Sequence, residues 1–371
     1  MTYRPLARVL WTVGSSEPAL PLLDEARQRF EAFASARTSK DAERMASVCL
    51  TEQGDCLCTL GRLDEAAAAY EEAIRRDEQR GDDRGGAVDK AQLGSVRLKQ
   101  RRHKEALAAY KEAHERFAAL DELGMVATTW HLTGLVYQEA GQPEEAENAY
   151  RQSLALEVRL GNVAGQGKTL NQLGILYDND LGRTEEAVAF FRQATDKAVE
   201  ICDVAEESRN RSNLAMRLRK LRRLDEARQE IRRAIECDAQ FGHASEPWKT
   251  WAILADIETD AGNPAAATEA RAKAIECYLA YRRDGGENHD GPGRIALAVT
   301  QSLLAGDPVT AASLLQQQAP RWEAAGFGGF IRALQAIVAG SRDRALTDAP
   351  DLDYGMAAEI LFLIETLEKG G

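Results

Sequence analysis

A spacing of 40 residues recurs along most of this 371-residue chain. Glycine occupies one phase of that spacing five times in succession, at Gly14, Gly54, Gly94, Gly134 and Gly174. After a slip of one residue, alanine continues the series at Ala215 and Ala255. A fixed period of this length indicates structural units that each pack only against their neighbours. The period therefore predicts a stacked array of units rather than a single globular core.

Two further positions keep the same period. A small residue recurs at Ala26, Ala66, Ala106, Ala146, Ala187, Ala227 and Ala267. A bulky residue follows four positions later, as Phe30, Tyr70, Tyr110, Tyr150, Phe191 and Ile231. Residues four apart share one face of a helix. We therefore expect the small residues to allow close helix contact and the bulky residues to fill the space beside it.

Each unit reads as two helices joined by a tight turn. In the second unit, the pattern predicts helices over residues 45–60 and 63–79, with Gly61 in the turn between them. Acidic residues begin the second helix, where the helix dipole favours negative charge. Gly81 and Gly161 follow second helices, as glycines that end a helix commonly do.

This register resembles the tetratricopeptide repeat family. The match in the second unit rests on Gly54, Ala66, Tyr70 and Ala73, and in the third unit on Gly94, Ala106, Tyr110 and Ala113. Trp130 and Trp251 fall on the family's tryptophan position. The usual repeat has about 34 residues, so the longer unit is similar to kinesin light chains and to the sensor regions of bacterial regulators. HEAT and armadillo repeats share the length range but lack this register.

The resemblance implies an all-α fold, an α-α superhelix (solenoid) of antiparallel helix pairs. We expect seven repeat units over residues 1–283, a loop over 284–293, and degenerate repeats with C-terminal capping helices over 294–371. The loop contains His289 among several glycines, and it is interpreted as a connector because no strand or phosphate-loop pattern precedes it.

The composition excludes several classes of function. The net charge of −12 argues against generic nucleic-acid binding. The sequence contains no stretch of about 18 apolar residues, so no membrane span is predicted. The first eight residues lack the apolar core of a signal peptide. The spacing of the six cysteines matches no zinc-binding pattern. They are Cys49, Cys56, Cys58, Cys202, Cys237 and Cys277. We therefore expect reduced thiols and a cytoplasmic protein without membrane partners.

No catalytic constellation, metal site or cofactor motif is recognised in the sequence. The five histidines show no metal-ligand spacing with one another. Paired carboxylates such as Glu144-Glu145 occur at helix starts, and the helix dipole accounts for them. We expect a protein that is not an enzyme and that needs no cofactor.

The resemblance also implies that the first helix of each unit lines a concave groove. The second, fifth, ninth and twelfth positions of a unit share one helical face. Apolar or neutral residues, such as Trp11, Thr51 and Ala91, are expected at the ends of the groove. The candidate ligand-binding residues are His131, Gln138, Lys168, Asn171, Asp178, Arg209, Ser212 and Arg219. The alternative is a solvated inner wall with no single ligand.

A basic stripe stands out against the acidic chain. It comprises Arg209, Arg211, Arg217, Arg219, Lys220, Arg222, Arg223, Arg228, Arg232 and Arg233. The stripe favours either an acidic partner or pairing with glutamates of neighbouring helices. It lacks the aromatic residues that stack on RNA bases.

These observations favour a non-enzymatic scaffold that binds a peptide or a partner protein, including one with acidic groups, in its groove. The resemblance to bacterial regulators motivates an alternative function. In that case the chain is the sensor or regulatory part of a bacterial signalling system, partnered with a protease or a nucleotide-switch module.

Overall fold

The computed structural model describes residues 4–5, 8, 16–288, 290–349 and 351–370. Gly14, Trp11 and His289 therefore lie outside the described residues. The described residues include seventeen α-helices whose first and last residues are given below, and they form no strand. The chain divides into two compact units, residues 1–197 and 198–371.

The first compact unit contains the most regular repeats. Its helices are α1 (Ser16–Arg37), α2 (Lys40–Thr59), α3 (Leu63–Arg80), α4 (Asp83–Lys99), α5 (His103–Ala119), α6 (Leu123–Glu139), α7 (Pro143–Arg159), α8 (Val163–Asn179) and α9 (Thr184–Glu200), which crosses the unit boundary. From α2 to α8, each helix packs against the next one along the chain. The predicted all-α architecture of consecutive helix pairs is confirmed.

Four glycines of the period, Gly54, Gly94, Gly134 and Gly174, lie beneath aromatic rings. A Cβ atom added at Gly134 would lie 2.5 Å from the ring of Tyr150. The equivalent distances are 2.6 Å from Gly54 to Tyr70 and 2.8 Å from Gly174 to Phe191. Glycine is therefore required because the ring of the second helix occupies the place where a side chain would begin. The aromatic residue lies on the close contact itself rather than beside it.

The turn inside each unit requires a left-handed residue. Gly61 has a φ of 74°, and Arg101 occupies the same phase with a φ of 60°. A residue with a Cβ atom rarely adopts this conformation, so the recurrent glycines at this turn have a backbone reason. This turn reverses the chain and places the two helices of a unit side by side.

The second compact unit begins with two regular pairs and continues with a different packing order. Its helices are α10 (Val204–Lys220), α11 (Leu224–Asp238), α12 (Pro247–Asp260), α13 (Pro264–Arg283), α14 (Gly291–Leu304), α15 (Pro308–Ala324), α16 (Gly328–Val338) and α17 (Tyr354–Gly370). Short 3-10 helices span Gly242–Ser245 and Arg344–Asp348. No helix among the described residues combines the length and the apolar character needed to cross a membrane.

The last helix lies between two others and not at the end of the stack. Helix α17 packs against both α13 and α14. Met356, Ile360 and Ile364 of α17 are at most 2% exposed, and they share a core with Phe330 and Leu315. Burial on two sides makes α17 a central element of this unit. The expected capping role of the C-terminal helices stays a prediction.

Candidate functional site

The candidate ligand-binding residues lie on the first helices of the repeats. In each compact unit, we call the surface that they define there the first-helix face. In the first compact unit, two hydrogen bonds along this face join α6 to α8 and to Asp180, the residue just after α8. His131 Nδ1 lies 3.0 Å from Thr169 Oγ1. Gln138 Nε2 donates to Asp180 Oδ2 at 2.7 Å, and its Oε1 accepts from the Tyr150 hydroxyl at 2.9 Å. His131 and Gln138 therefore serve the packing of neighbouring repeats as well as the surface.

Near α8, the positive charge on this face comes from Lys168 and not from His131. Burial, together with the nearby Lys168 ammonium, lowers the pKa of His131 to about 4. His131 is consequently neutral at pH 7, and its imidazole acts as a hydrogen-bonding group. Lys168 is exposed, and Asn171, one turn further along α8, is half-buried.

Asp178 is directed into its own repeat. Its carboxylate accepts a hydrogen bond of 2.7 Å from Thr184 Oγ1, at the start of α9. Asp178 is only 8% exposed. This bond connects the end of α8 to the start of α9. Among the candidate residues of the first compact unit, Lys168 and Asn171 thus contribute more accessible polar surface than Asp178.

The three candidates of the second compact unit lie on α10. Arg209 is exposed and pairs with Glu206 on the same helix. Ser212 is half-buried. Arg219 bridges to α12 through bonds of 2.7 Å to Asp256 and 2.6 Å to Asp260. Arg219 therefore links two first helices.

The basic stripe is extensively paired with carboxylates. Arg228 donates to Glu258 at 2.7 Å and to Asp225 at 2.7 Å. Glu207 is 6% exposed and accepts from both Arg211 and Arg233. This pattern supports the interpretation of the stripe as ion pairs between neighbouring helices.

A polar contact that the sequence did not reveal joins the second and third repeats. Thr51, at the fifth position of its unit, donates to Asp89 Oδ1 of the next unit at 2.8 Å. Asp89 is 2% exposed. Burial, followed by the nearby carboxylates of Asp77, Asp55 and Asp82, raises the pKa of Asp89 to about 7, against the opposing hydrogen bond from Thr51.

Asp89 predicts a pH dependence of stability. Its folded pKa lies above the unfolded value of about 4, so the folded state holds a proton that the unfolded state lacks between pH 4 and 7. This contribution to stability is present below pH 4 and is lost as the pH rises through about 7. The unsubstituted chain should lose more stability between pH 5 and pH 8 than the Asp89→Asn protein does. We expect the difference to be about 2 to 3 kcal/mol, as measured by urea unfolding.

The matched control for Asp89 is Asp307→Asn. Asp307 caps α15, where hydrogen bonds from Thr310 lower its pKa. Removing that carboxylate should leave the difference in stability between pH 5 and pH 8 unchanged. An Asp89→Asn protein with the pH profile of the unsubstituted chain would contradict the assignment to Asp89.

The second compact unit also contains a cavity of about 470 Å³ with aromatic walls. Its rings come from Trp248, Tyr278, Tyr281 and Tyr354. This site could not be predicted from the sequence, because Tyr354 is more than 70 residues from the other three. Among the described residues, no group of three histidine, cysteine or acidic side chains has the arrangement of a metal site.

Comparisons with known proteins give the family. A model of the tetratricopeptide repeat matches residues 42–119, 86–156 and 125–200, and a second tetratricopeptide repeat model matches residues 211–237. Together these matches cover half of the chain. No curated protein sequence matches the chain significantly.

Several solved structures share the fold. The apo form of RapI is 14% identical, with a TM-score of 0.59, and the match covers 94% of this chain and 98% of that one. The apo quorum sensor NprR from B. thuringiensis is 15% identical, with a TM-score of 0.53 and coverage of 91% and 85%. A signal-transduction ATPase from Pyrococcus horikoshii with a tetratricopeptide repeat sensor is 16% identical, with a TM-score of 0.61 and coverage of 76% and 43%.

Proposed function

We propose, given that the chain belongs to the tetratricopeptide repeat family, that it is a non-enzymatic scaffold which binds a peptide or a partner protein along its first-helix face. The observation that carries the proposal is the polar edge of α8. There, the exposed Lys168 stands beside the neutral His131 and the half-buried Asn171. The repeats agree at their packing positions and differ at these surface positions, as expected when the surface selects a ligand.

The chemistry of this edge favours an extended peptide with an acidic group. An amide such as that of Asn171 can donate to and accept from a peptide backbone. The Lys168 ammonium can hold a carboxylate through a charge-assisted hydrogen bond. In the second compact unit, the exposed Arg209 of α10 pairs with Glu206, so a ligand carboxylate there would have to compete with Glu206.

A second candidate function is that of a regulatory subunit of a signalling system. It is favoured by the extent of the likeness to the quorum sensor NprR, which spans 91% of this chain and includes more than the regular repeats. A stable complex with a protease or a nucleotide-switch protein would distinguish this function from simple peptide capture.

Reversing the charge at Lys168 tests the proposal. The partner is first captured from native lysate on the immobilised chain, identified by mass spectrometry and purified. Lys168→Glu should then weaken its binding by about 1 to 2 kcal/mol, because a charge-assisted hydrogen bond is lost and a like charge is introduced. The affinity is measured by isothermal titration calorimetry.

Lys111→Glu is the matched control. Lys111 is an exposed lysine on α5, a second helix, where its nearest carboxylate is that of Glu115 at 4.0 Å. It carries the same charge change but lies off the first-helix face. Equal weakening by both substitutions would show a general charge effect, and unchanged binding by Lys168→Glu would exclude this edge as the binding site.

A further inference from the structure

The aromatic-walled cavity of the second compact unit has the composition of a cation site. Trp248 and Tyr281 lie with ring centroids 5.0 Å apart and planes inclined by 34°. Tyr278 meets Trp248 edge-on at 5.5 Å and Tyr354 at 6.5 Å. Trp248 and Tyr278 are buried, whereas Tyr281 and Tyr354 are half-buried. The buried rings of Trp248 and Tyr278 therefore form the floor of the cavity, and the half-buried rings of Tyr281 and Tyr354 form its accessible wall.

The ring positions are fixed by contacts from several elements. The Tyr278 hydroxyl donates to Glu359 Oε1 at 2.6 Å. The Tyr281 hydroxyl donates to the Glu287 carbonyl oxygen at 2.9 Å, and its ring lies so close to Gly286 that an added Cβ atom there would be 2.3 Å away. A cavity with such fixed walls needs little rearrangement to accept a ligand.

Carboxylates surround the opening of this cavity. Glu246, Glu287, Asp290 and Asp353 contribute to its lining and are exposed. Burial, together with the charges of Asp353, Glu246 and Asp290, raises the pKa of Tyr354 to about 12. Lys249 also lines the cavity, and its Nζ donates to Glu246 Oε2 at 2.6 Å. The opening thus presents four carboxylates and one ammonium group.

We propose that this cavity binds the guanidinium group of an arginine side chain from a partner peptide, with the cation over the rings of Trp248, Tyr281 and Tyr354 and beside the surrounding carboxylates. The faces of aromatic rings attract cations, and nearby carboxylates add to the attraction. None of the candidate residues of the proposed function lines this cavity, and the site does not depend on them.

The same compact unit contains an internal example of an arginine side chain that lies over an aromatic ring and beside a carboxylate. The Arg282 guanidinium carbon lies 4.7 Å from the centre of the Phe362 ring, and its Nε lies 3.2 Å from Glu359 Oε1. A planar guanidinium stacks on an aromatic face more readily than an ammonium does. This internal example, together with the acidic opening, favours arginine over lysine as the ligand group.

The probe is a blocked pentapeptide with one arginine among alanines, and its partner probe carries neutral citrulline in place of that arginine. Binding to the full chain is measured by ligand-observed NMR. The arginine peptide should bind at least about tenfold more tightly than the citrulline peptide, because only the former carries the charge that the rings and carboxylates attract. Choline, a quaternary ammonium of small-molecule origin, should bind more weakly than the arginine peptide.

Two sets of variants locate the binding at this cavity. Asp290 and Asp353 cap helices by accepting from Gly293 N and Met356 N, each at 2.7 Å. Asparagine also caps helices well, so Asp290→Asn with Asp353→Asn removes two charges and keeps the fold. Binding of the arginine peptide should fall roughly three- to tenfold. Lys249→Gln should instead tighten binding about twofold, because it frees Glu246.

The control removes two charges from helix caps elsewhere in the unit. Asp307 and Asp343 accept from Thr310 N and Ala345 N, each at 3.0 Å. Asp307→Asn with Asp343→Asn should leave binding unchanged. The proposal is overturned if the two peptides bind equally, if neither binds, if choline binds more tightly than the arginine peptide, or if the control pair weakens binding as much as the cavity pair. Lys168→Glu should not alter this binding, so failure here and failure of the proposed function are distinguishable.

Discussion

Replacing Gly134 with leucine is expected to lower the free energy of unfolding by about 3 kcal/mol, near the upper end of the usual cost of overpacking. The first added atom would lie 2.5 Å from the Tyr150 ring. That ring cannot move aside easily, because Tyr150 is fully buried and its hydroxyl is bonded to Gln138 at 2.9 Å. The expected loss is measured as a shift of the urea midpoint, with the unfolding slope checked for a change in cooperativity.

Gly124 provides the control on the same helix. An added Cβ atom there meets nothing within 4 Å. Gly124→Ala should therefore leave stability unchanged or raise it by up to about 1 kcal/mol, because alanine favours the helix. A Gly134→Leu protein as stable as the Gly124→Ala protein would show that the contact with the ring does not determine the glycine.

The chain itself suggests a compensating substitution. In the sixth repeat, Ala215 takes the place of glycine and Ile231 takes the place of the ring, and both residues are fully buried. We therefore expect Tyr150→Ile to restore part of the stability lost in Gly134→Ala. Because the two residues touch, the double mutant should deviate from additivity by about 0.5 kcal/mol or more.

The sequence predicted the regular repeats well because their determinants are local. The second helix of the second repeat was expected over residues 63–79 and spans Leu63–Arg80. The first helix was expected over residues 45–60 and spans Lys40–Thr59. Its earlier start follows from Ser39, whose side chain accepts from Ala42 N at 3.3 Å. A serine cap of this kind can be recognised in a sequence, but the start of the helix was predicted from the repeat period alone.

The C-terminal packing could not be predicted in the same way. Helix α17 lies between α13 and α14, although 70 residues separate the end of α13 from the start of α17. The period has ended by then, so no recurring residue indicates which helices meet. The buried contact between Tyr278 and Glu359 arises from this nonlocal arrangement.

The helical positions of the candidate residues could be predicted from the sequence, but their contacts could not. Helical spacing places His131 and Asn171 at equivalent points of neighbouring repeats. It does not show that His131 contacts Thr169 or that Asp178 accepts from Thr184. The extra residue in the period falls between Gly174 and Ala187, in the same turn that holds the Asp178 contact. Slips in a repeat can therefore redirect a polar side chain from the surface into a turn.

A buried ion pair gives the second large expected effect. Arg282 and Glu359 are 8% and 1% exposed, with Nε and Oε1 3.2 Å apart. Glu359 also accepts from the Tyr278 hydroxyl at 2.6 Å and from Asn288 Nδ2 at 3.2 Å. Glu359→Ala should lower the free energy of unfolding by about 3 to 5 kcal/mol, because it leaves a buried guanidinium without its carboxylate.

The cost of Glu359→Ala should come from the unpaired charge rather than from the loss of an attraction. Replacing both partners, with Arg282→Met and Glu359→Leu, should therefore be much less harmful than Glu359→Ala alone, since buried ion pairs are often replaced by apolar residues at little cost. Arg283→Ala is the control on the adjacent residue, because Arg283 is exposed and pairs with Glu365 at 2.6 Å. Its loss should cost less than about 1 kcal/mol. If urea unfolding ranks the double replacement below Glu359→Ala, the stability of this unit depends on the attraction between the charges themselves.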